Sequence, residues 1–265
     1  MELNNKRVLI TGGSSGIGLA TAQALLAKGA QVFVTGRDDA KIATALKTLS
    51  TGGKAAGAAA DVATAEGRRE TLEKAIAAMG GLDILINNAG GVRAGRLEET
   101  SEADIDTMIA VNLSAPILLT RASLPALRQS GDALVVNVSS GIALIGMPFY
   151  TTYAAVKAAI AHFGEALRRE LYGEGIGVLT IYPTATETPM MATSKAGRET
   201  GRESPEDVAA AIVAAIESDD LEVIRGGEAR QKMLALNRQD PKAVDKKMAE
   251  AKSGLEQAVK DHSAL

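Results

Sequence analysis

Short apolar runs alternate with longer alanine-rich or amphipathic segments over most of the chain. The runs are rich in Val, Ile and Leu, as buried strands are, and the segments between them are long enough for helices. This alternation predicts an α/β fold in which helices cover both faces of a parallel sheet. The predicted strands lie near residues 7–11, 31–36, 54–60, 82–87, 132–139, 176–182 and 221–225, and the predicted helices near 16–28, 39–50, 64–79, 101–128, 151–172 and 205–217.

The chain is expected to form one domain with a helical extension. No linker, repeat or low-complexity segment interrupts residues 1–227, and 265 residues is an ordinary length for a single α/β domain. Residues 228–265 are predicted to be helical, with a second helix from about Pro241 to Asp261. Its apolar residues recur near helical spacing, so one face is expected to cover a groove in the domain or in a partner subunit. These residues are Val244, Met248, Ala251, Leu255 and Val259.

The composition excludes several classes of function. Aromatic residues make up only 3%, so the core must consist of closely packed aliphatic side chains. A net charge of −3 provides no basic surface for nucleic acid or an anionic membrane. No apolar run approaches the roughly 18 residues of a membrane-spanning helix. Because a strand begins almost at once and Cys is absent, we expect no signal peptide or disulfide. The two histidines lack partners at metal-ligand spacing, so we expect no metal site and a cytoplasmic protein.

A glycine-rich turn follows the first predicted strand. Gly12, Gly16 and Gly18 lie between that strand and an Ala/Leu-rich helix. Missing side chains let a dinucleotide pyrophosphate approach the backbone, and the N-terminus of a helix favours the anion. The spacing Gly-x-x-x-Gly-x-Gly differs from the commoner Gly-x-Gly-x-x-Gly, and a purely structural turn is the alternative.

Tyr153 and Lys157 form a candidate acid–base pair. They are four positions apart in a predicted helix, so both side chains lie on one face. A neighbouring ammonium favours the ionised phenol, and we therefore expect Lys157 to lower the pKa of Tyr153. Such a pair would donate and accept protons near neutral pH. Taken alone the pattern is weak, because many surface helices carry it by chance.

Glycine and polar residues also follow other predicted strands, at the sheet edge where open α/β sheets bind ligands. In order and spacing, these motifs resemble those of the short-chain dehydrogenase/reductase family over roughly residues 5–227. The matching motifs are Thr11 to Gly18, Asp61 and Val62, Asn87 to Gly90, Asn112, Ser140, Tyr153, Lys157 and Pro183.

The resemblance implies a doubly wound Rossmann fold with a seven-stranded parallel sheet. It also implies hydride transfer between a nicotinamide cofactor and a small carbonyl compound or secondary alcohol. Tyr153 would be the general acid and base, Lys157 would bind the nicotinamide ribose, and Ser140 would hydrogen-bond the reacting oxygen. Asn112 would hold a water that connects Lys157 to solvent, or its amide could simply bridge helix and strand. The implied cofactor ligands are Gly12, Ser14, Ser15, Gly16, Ile17, Gly18, Arg37, Asp61, Val62, Asn88, Ala89, Gly90, Tyr153, Lys157, Pro183 and Thr188.

The end of the second predicted strand favours NADP(H) over NAD(H). An acidic residue at the strand end would accept a hydrogen bond from the ribose 2′-hydroxyl of NAD. Gly36 occupies that position, and the guanidinium of Arg37 suits a 2′-phosphate. Ser14 could add a hydroxyl, whereas Asp38 keeps NAD(H) possible.

The chain departs from the family pattern after Pro183, where Thr184 replaces the usual Gly and Thr186 the usual aliphatic residue. Tyr150 has no lysine four positions later, so we expect it in the pocket wall. The polar segment 190–203 would be the mobile substrate lid of the family, with a plain surface loop as the alternative.

The family also commonly pairs through the helices at 101–128 and 151–172, which implies a homodimer or homotetramer. The C-terminal extension would then clasp a neighbouring subunit or flank the lid. A non-catalytic NADP(H)-binding sensor or scaffold is the alternative function. The intact set of Asn112, Ser140, Tyr153 and Lys157 weighs against it, and the sequence does not identify the substrate.

Overall fold

The computed structural model describes residues 1–197 and 201–265, and within them it contains a seven-stranded parallel sheet with helices on both faces. The elements in chain order are β1 Arg7–Thr11, α1 Gly16–Ala27, β2 Gln31–Gly36, α2 Asp39–Leu49, β3 Ala55–Ala59, α3 Ala65–Met79, β4 Ile84–Asn87, β5 Val92–Arg93, α4 Glu102–Ile109, α5 Ala115–Ser130, β6 Ala133–Val138, α6 Thr151–Glu170, β7 Ile176–Tyr182, α7 Pro205–Ser218, β8 Glu222–Ile224, α8 Gly227–Gln239, α9 Pro241–Val259 and β9 Ser263–Ala264. Short 3₁₀ helices lie at Leu97–Glu99, Gly141–Ala143 and Pro189–Met191.

The strand order places a crevice at the centre of the sheet. The order is β3-β2-β1-β4-β6-β7-β8, and all six neighbouring pairs are parallel. The chain moves outward from β1 to β3 and then returns to β4 on the other side of β1. Connections that leave in opposite directions open a crevice beyond the carboxyl ends of the two strands. The crevice therefore lies beyond Thr11 and Asn87, and the predicted doubly wound Rossmann fold is confirmed.

Both faces of the sheet are buried, as in parallel sheets generally. Val8 and Ile10 point to one side and pack in a cluster with α1 and α7 residues, whereas Leu9 points to the other side, towards α3, α5 and α6. The core is aliphatic, as the scarcity of aromatic residues requires.

Local signals in the sequence set several helix starts. In each case a side-chain oxygen accepts a hydrogen bond from a backbone N–H in the first turn, and a cap of this kind contributes about 1 kcal/mol. These caps are Asp38 on α2, Thr64 on α3, Ser101 on α4, Ser204 on α7 and Asp240 on α9.

The predicted helix at 101–128 is interrupted. A π-helical turn at Ala110–Ser114 separates α4 from α5 and carries Asn112 at its centre. Such turns are rare inside helices and occur frequently at functional sites. The position of Asn112 therefore depends on a backbone irregularity that the apolar pattern does not indicate.

The continuous helical stretch from Glu102 to Ser130 is long and apolar enough, by length and composition, to cross a membrane. The expectation that no segment approaches that length was therefore wrong. Core helices of α/β domains pass the same test. Met108, Leu119 and Leu127 are fully buried within this domain, which is the environment of a core helix.

The C-terminal segment packs on the domain. In α9 the expected apolar stripe faces inward: Val244 and Val259 are buried, and Leu255 packs against the cluster that contains Tyr150. After α9, β9 pairs antiparallel with β5, so that Ala264 lies opposite Val92. The apolar pattern predicted neither of these two short strands, because two-residue strands carry no periodicity.

Candidate active site

A cleft of about 1,550 Å³ lies beyond the carboxyl ends of the parallel strands. Its walls come from the turn after β1, the ends of β2 and β4, the loops after β6 and β7, and α9. Sites for a single drug-sized molecule are about 300–1,000 Å³. The cleft therefore has room for a dinucleotide and a second small molecule.

The glycine turn after β1 needs its missing side chains. Gly12 has a left-handed φ of 67°, and a Cβ there would lie 2.9 Å from the Cα of Ala89. A Cβ on Gly18 would lie 2.5 Å from Nδ2 of Asn88. That Nδ2 donates to the carbonyl oxygens of Thr11 and Gly12, both at 3.0 Å, which ties the turn to the end of β4.

The N-terminus of α1 suits a phosphate group. Ser15 stands at the N-cap but makes no side-chain cap, and the first turn contains no acidic residue. The N–H groups of the first helical turn lack partners within the helix and attract anions. This uncapped turn and the glycine cradle together fit the pyrophosphate of a dinucleotide.

The structure distinguishes two adjacent serines at the end of β6. Ser139 is buried, and its hydroxyl donates to the main-chain oxygen of Lys157 at 2.7 Å, which fixes α6 against the sheet. Ser140 is hydrogen-bonded to the side chain of Tyr153. Ser140, as the resemblance implies, therefore faces the candidate acid–base residue.

Tyr153 and Lys157 lie together at the cleft, as their spacing predicts. The Nζ atom of Lys157 is 5.6 Å from the ring centroid of Tyr153 and donates to the carbonyl oxygen of Val138 at 3.0 Å. Burial lowers the pKa of Lys157 to about 8. Burial also raises the pKa of Tyr153, and Tyr150 raises it further, while the hydrogen bond with Ser140 acts in the opposite direction. The expectation that Lys157 lowers the pKa of Tyr153 is therefore wrong for this structure, because loss of hydration outweighs the neighbouring ammonium.

Asn112 bridges the π-helical turn and the loop after β4. Its Nδ2 donates to the carbonyl oxygens of Gly91 at 2.8 Å and Met108 at 2.9 Å, and its Oδ1 accepts from Gly91 N at 3.4 Å. A Cβ on Gly90 would lie 2.8 Å from this Oδ1 and 3.4 Å from Nζ of Lys157. The bridging role left open by the sequence is thus present, and the same amide lies beside Lys157.

Several predicted cofactor ligands lie at the β2 end of the cleft. Arg37 lines it and donates from Nη2 to the main-chain oxygen of Leu265 at 3.0 Å. Asp38 caps α2 by accepting from Lys41 N at 3.0 Å. A Cβ on Gly36 would lie 2.9 Å from Oγ of Ser14, so only a small residue fits there. The remaining predicted ligands on this side that line the cleft are Ser15, Gly16, Ile17, Asp61, Val62, Asn88, Ala89 and Gly90.

The loop after β7 completes the wall opposite the glycine turn. Pro183 accepts a hydrogen bond from Gly141 N at 2.8 Å, and Thr188 faces Gly16, where a Cβ would lie 2.9 Å from Cγ2 of the threonine. The atypical Thr186 is buried and donates to the carbonyl oxygen of Thr184 at 3.0 Å. These substitutions therefore stabilise the loop from within.

The C-terminal segment flanks the expected lid, of which residues 198–200 lie outside the described part of the chain. Lys195 N donates to the carbonyl oxygen of Ala258 at 2.8 Å, and the hydroxyl of Thr193 lies 3.2 Å from Nδ1 of His262. His262 is fully buried and packs edge-on against Tyr150. The cleft beyond Tyr153 therefore has a wall made of the segment's own residues.

The sequence analysis missed some residues that line the cleft. Arg230, His262 and Leu265 lie far along the chain from the family motifs, and no local pattern marks them. The amphipathic stripe was the available signal, since it contains Leu255 and Ala251, which also line the cleft.

Comparisons with known proteins agree with this geometry. The family profile described as short chain dehydrogenase matches residues 6–199. An uncharacterized oxidoreductase of Thermotoga maritima is 37% identical over 198 residues, which are 74% of this chain and 78% of that protein. A solved short chain dehydrogenase of Burkholderia cenocepacia in complex with NADP is 31% identical, with a TM-score of 0.78 over 84% of this chain and 97% of that one. A solved 3-ketoacyl-(acyl-carrier-protein) reductase of Brucella melitensis complexed with NADH is 28% identical, with a TM-score of 0.77 over 83% of this chain and 97% of that one. The chain therefore belongs to the short-chain dehydrogenase/reductase family of oxidoreductases.

Proposed function

We propose that this protein reduces a carbonyl compound to an alcohol, or catalyses the reverse oxidation, with NADP(H) as cofactor. The observation that carries the proposal is the cluster of Tyr153, Ser140 and Lys157 at the end of a cleft whose glycine turn fits a pyrophosphate. The bound nicotinamide would supply or accept the hydride. The solved relatives in complex with NADP and with NADH support a nicotinamide cofactor.

The chain's own groups would supply the proton and orient the substrate. Because burial raises the pKa of Tyr153, its phenol is protonated at neutral pH and can donate that proton as negative charge develops on a carbonyl oxygen. Ser140, hydrogen-bonded to this phenol, would hold the same oxygen. The ammonium of Lys157 would stabilise the phenolate that remains, and its position beside Asn112 provides a route for returning the proton.

The preference for NADP(H) rests on Arg37 and Gly36. The guanidinium lies at the cleft and has donors besides the one directed at Leu265. One carboxylate oxygen of Asp38 is occupied in capping α2, which makes that residue a poorer ribose ligand than an acid at position 36 would be. A cation without a facing carboxylate favours the 2′-phosphate.

The test is a spectrophotometric screen in which the protein is mixed with NADPH or NADH and a panel of ketones and aldehydes. We expect oxidation of NADPH with at least one carbonyl compound, and loss of at least about a hundredfold in kcat for Tyr153→Phe, the size of a general acid contribution. The matched control is Tyr172→Phe, since Tyr172 is 89% exposed and lies away from the cleft. Appreciable turnover by Tyr153→Phe would contradict the assignment. Cofactor binding without turnover on any carbonyl would favour the sensor or scaffold alternative.

A further inference from the structure

Arg230 lies in the first turns of α8, and its side chain is directed into the cleft. Two glycines make room for it. A Cβ on Gly226 would lie 3.1 Å from Cβ of Arg230, and a Cβ on Gly141 would lie 2.7 Å from its Nη2. Because Gly141 directly follows Ser140, the guanidinium rests against the loop that carries the candidate oxygen-binding serine.

The guanidinium has donors that the protein does not use. Nη1 of Arg230 donates to the carbonyl oxygen of Gly141 at 2.9 Å. Within residues 1–197 and 201–265, no carboxylate forms an ion pair with it, although an arginine offers five N–H donors. Two neighbouring arginines differ. Arg225 is bound to Glu203, and the buried Arg202 pairs with Glu187 and donates to lid carbonyl oxygens.

The wall near Tyr153 is apolar. It consists of Ile142, Met147, Tyr150, Met190, Leu255 and Ala258, which pack in one cluster around the cleft. Half-burying a guanidinium at such a wall is unfavourable unless an anion compensates it. The planar fork of an arginine binds carboxylates and phosphates through two hydrogen bonds.

We propose that Arg230 binds an anionic group on the carbonyl substrate, so that the substrate class is an oxo acid or an equivalent phosphate or sulfonate with an apolar chain. This inference rests on the proposed function, because it takes the Ser140 and Tyr153 side of the cleft as the place of the carbonyl group. The anion would lie beside the Ser140 loop, and the apolar chain would lie against α9 and the lid.

The test compares oxo acids of increasing chain length with their methyl esters, which differ in charge but retain the carbonyl group. For the wild type we expect a higher kcat/KM for the acid at one or more chain lengths. Arg230→Met should lower the acid-to-ester ratio of kcat/KM by about ten- to a hundredfold, the usual effect of losing a charge-assisted pair. Arg230→Lys should fall between the two. Arg238→Met is the matched control, since Arg238 is exposed on the same helix.

Three further measurements separate the possible failures. Melting temperatures check that the variants fold, and Arg230→Lys carries the test if Arg230→Met does not. The KM for NADPH should be unchanged in Arg230→Met, because a rise would assign the guanidinium to a cofactor phosphate and overturn the proposal. If no carbonyl compound is reduced by any form, the proposed function fails. Calorimetric binding of the same acids and esters then still tests Arg230 by the same ratio. An equal loss for acid and ester in either assay would make Arg230 a purely structural link to Gly141.

Discussion

Replacing Lys157 with Met should abolish activity while relieving a cost in stability. Lys157 is 5% exposed, and burial lowers its pKa from the ordinary 10.5 to about 8. That difference corresponds to about 3 kcal/mol of destabilisation of the folded protein when the ammonium is charged. Methionine has a similar length and no charge, so it removes this cost. It also leaves the carbonyl oxygen of Val138 without its 3.0 Å donor, a loss of about 1–3 kcal/mol.

The sign of the pH dependence follows from the direction of the shift. Between about pH 8 and pH 10.5 the unfolded chain keeps the lysine proton and the folded chain has lost it, so the stability of the wild type rises with pH. The destabilisation is complete below about pH 8. At about pH 7 we expect Lys157→Met to be more stable by about 1 kcal/mol, or roughly 2 °C in melting temperature for a protein of this size. This advantage should shrink by about 2 kcal/mol at about pH 9.5.

The assay is chemical or thermal unfolding of both proteins at the two pH values, together with turnover of the best carbonyl substrate. Lys47→Met, an exposed lysine on α2, is the control and should show no such pH dependence. A difference between wild type and Lys157→Met that stays constant from about pH 7 to pH 9.5 would refute the reasoning, because it would mean that Lys157 is not destabilised by burial. Turnover that survives the substitution would remove Lys157 from the mechanism.

Three other perturbations have expected outcomes. Arg37→Met should raise the KM for NADPH by about ten- to a hundredfold and change the KM for NADH much less, and equal changes in steady-state assays would show that Arg37 does not read the 2′-phosphate. Deleting residues 263–265 removes β9 and the main-chain acceptor of Arg37, so the melting temperature should fall and the KM for the carbonyl substrate should change, whereas a truncated protein identical in both would show that β9 has no role. Asp83→Asn should lower stability at neutral pH by about 2 kcal/mol or more, because burial alone raises the pKa of Asp83 but hydrogen bonds from Arg7 outweigh it and bring it to about 2. That contribution is complete above about pH 4 and should disappear in acid unfolding curves as the pH falls through about 2, and an unchanged gap between the two proteins across that range would contradict it.

The sequence by itself determined the parts of this protein that depend on local order along the chain. Alternating apolar runs and helical segments predicted the sheet, because the period of the pattern reports directly which faces are buried. The spacing of Gly12, Gly16 and Gly18 predicted the phosphate cradle, and four positions on a helix placed Tyr153 beside Lys157. Each of these is a relation between residues close in the chain.

Tertiary structure alone decided the properties that depend on distant segments. The pKa of Tyr153 rises rather than falls, because burial is the sum of contributions from the lid, α9 and the loop after β6, none of which its local sequence reveals. Arg230 reaches Gly141 and Arg37 reaches Leu265 across 89 and 228 positions of the chain. The composition of a cleft wall depends on which segments the sheet brings to its edge. The apolar pattern shows that the C-terminal helix must be covered, and only the fold shows that the surface it covers is the candidate active site.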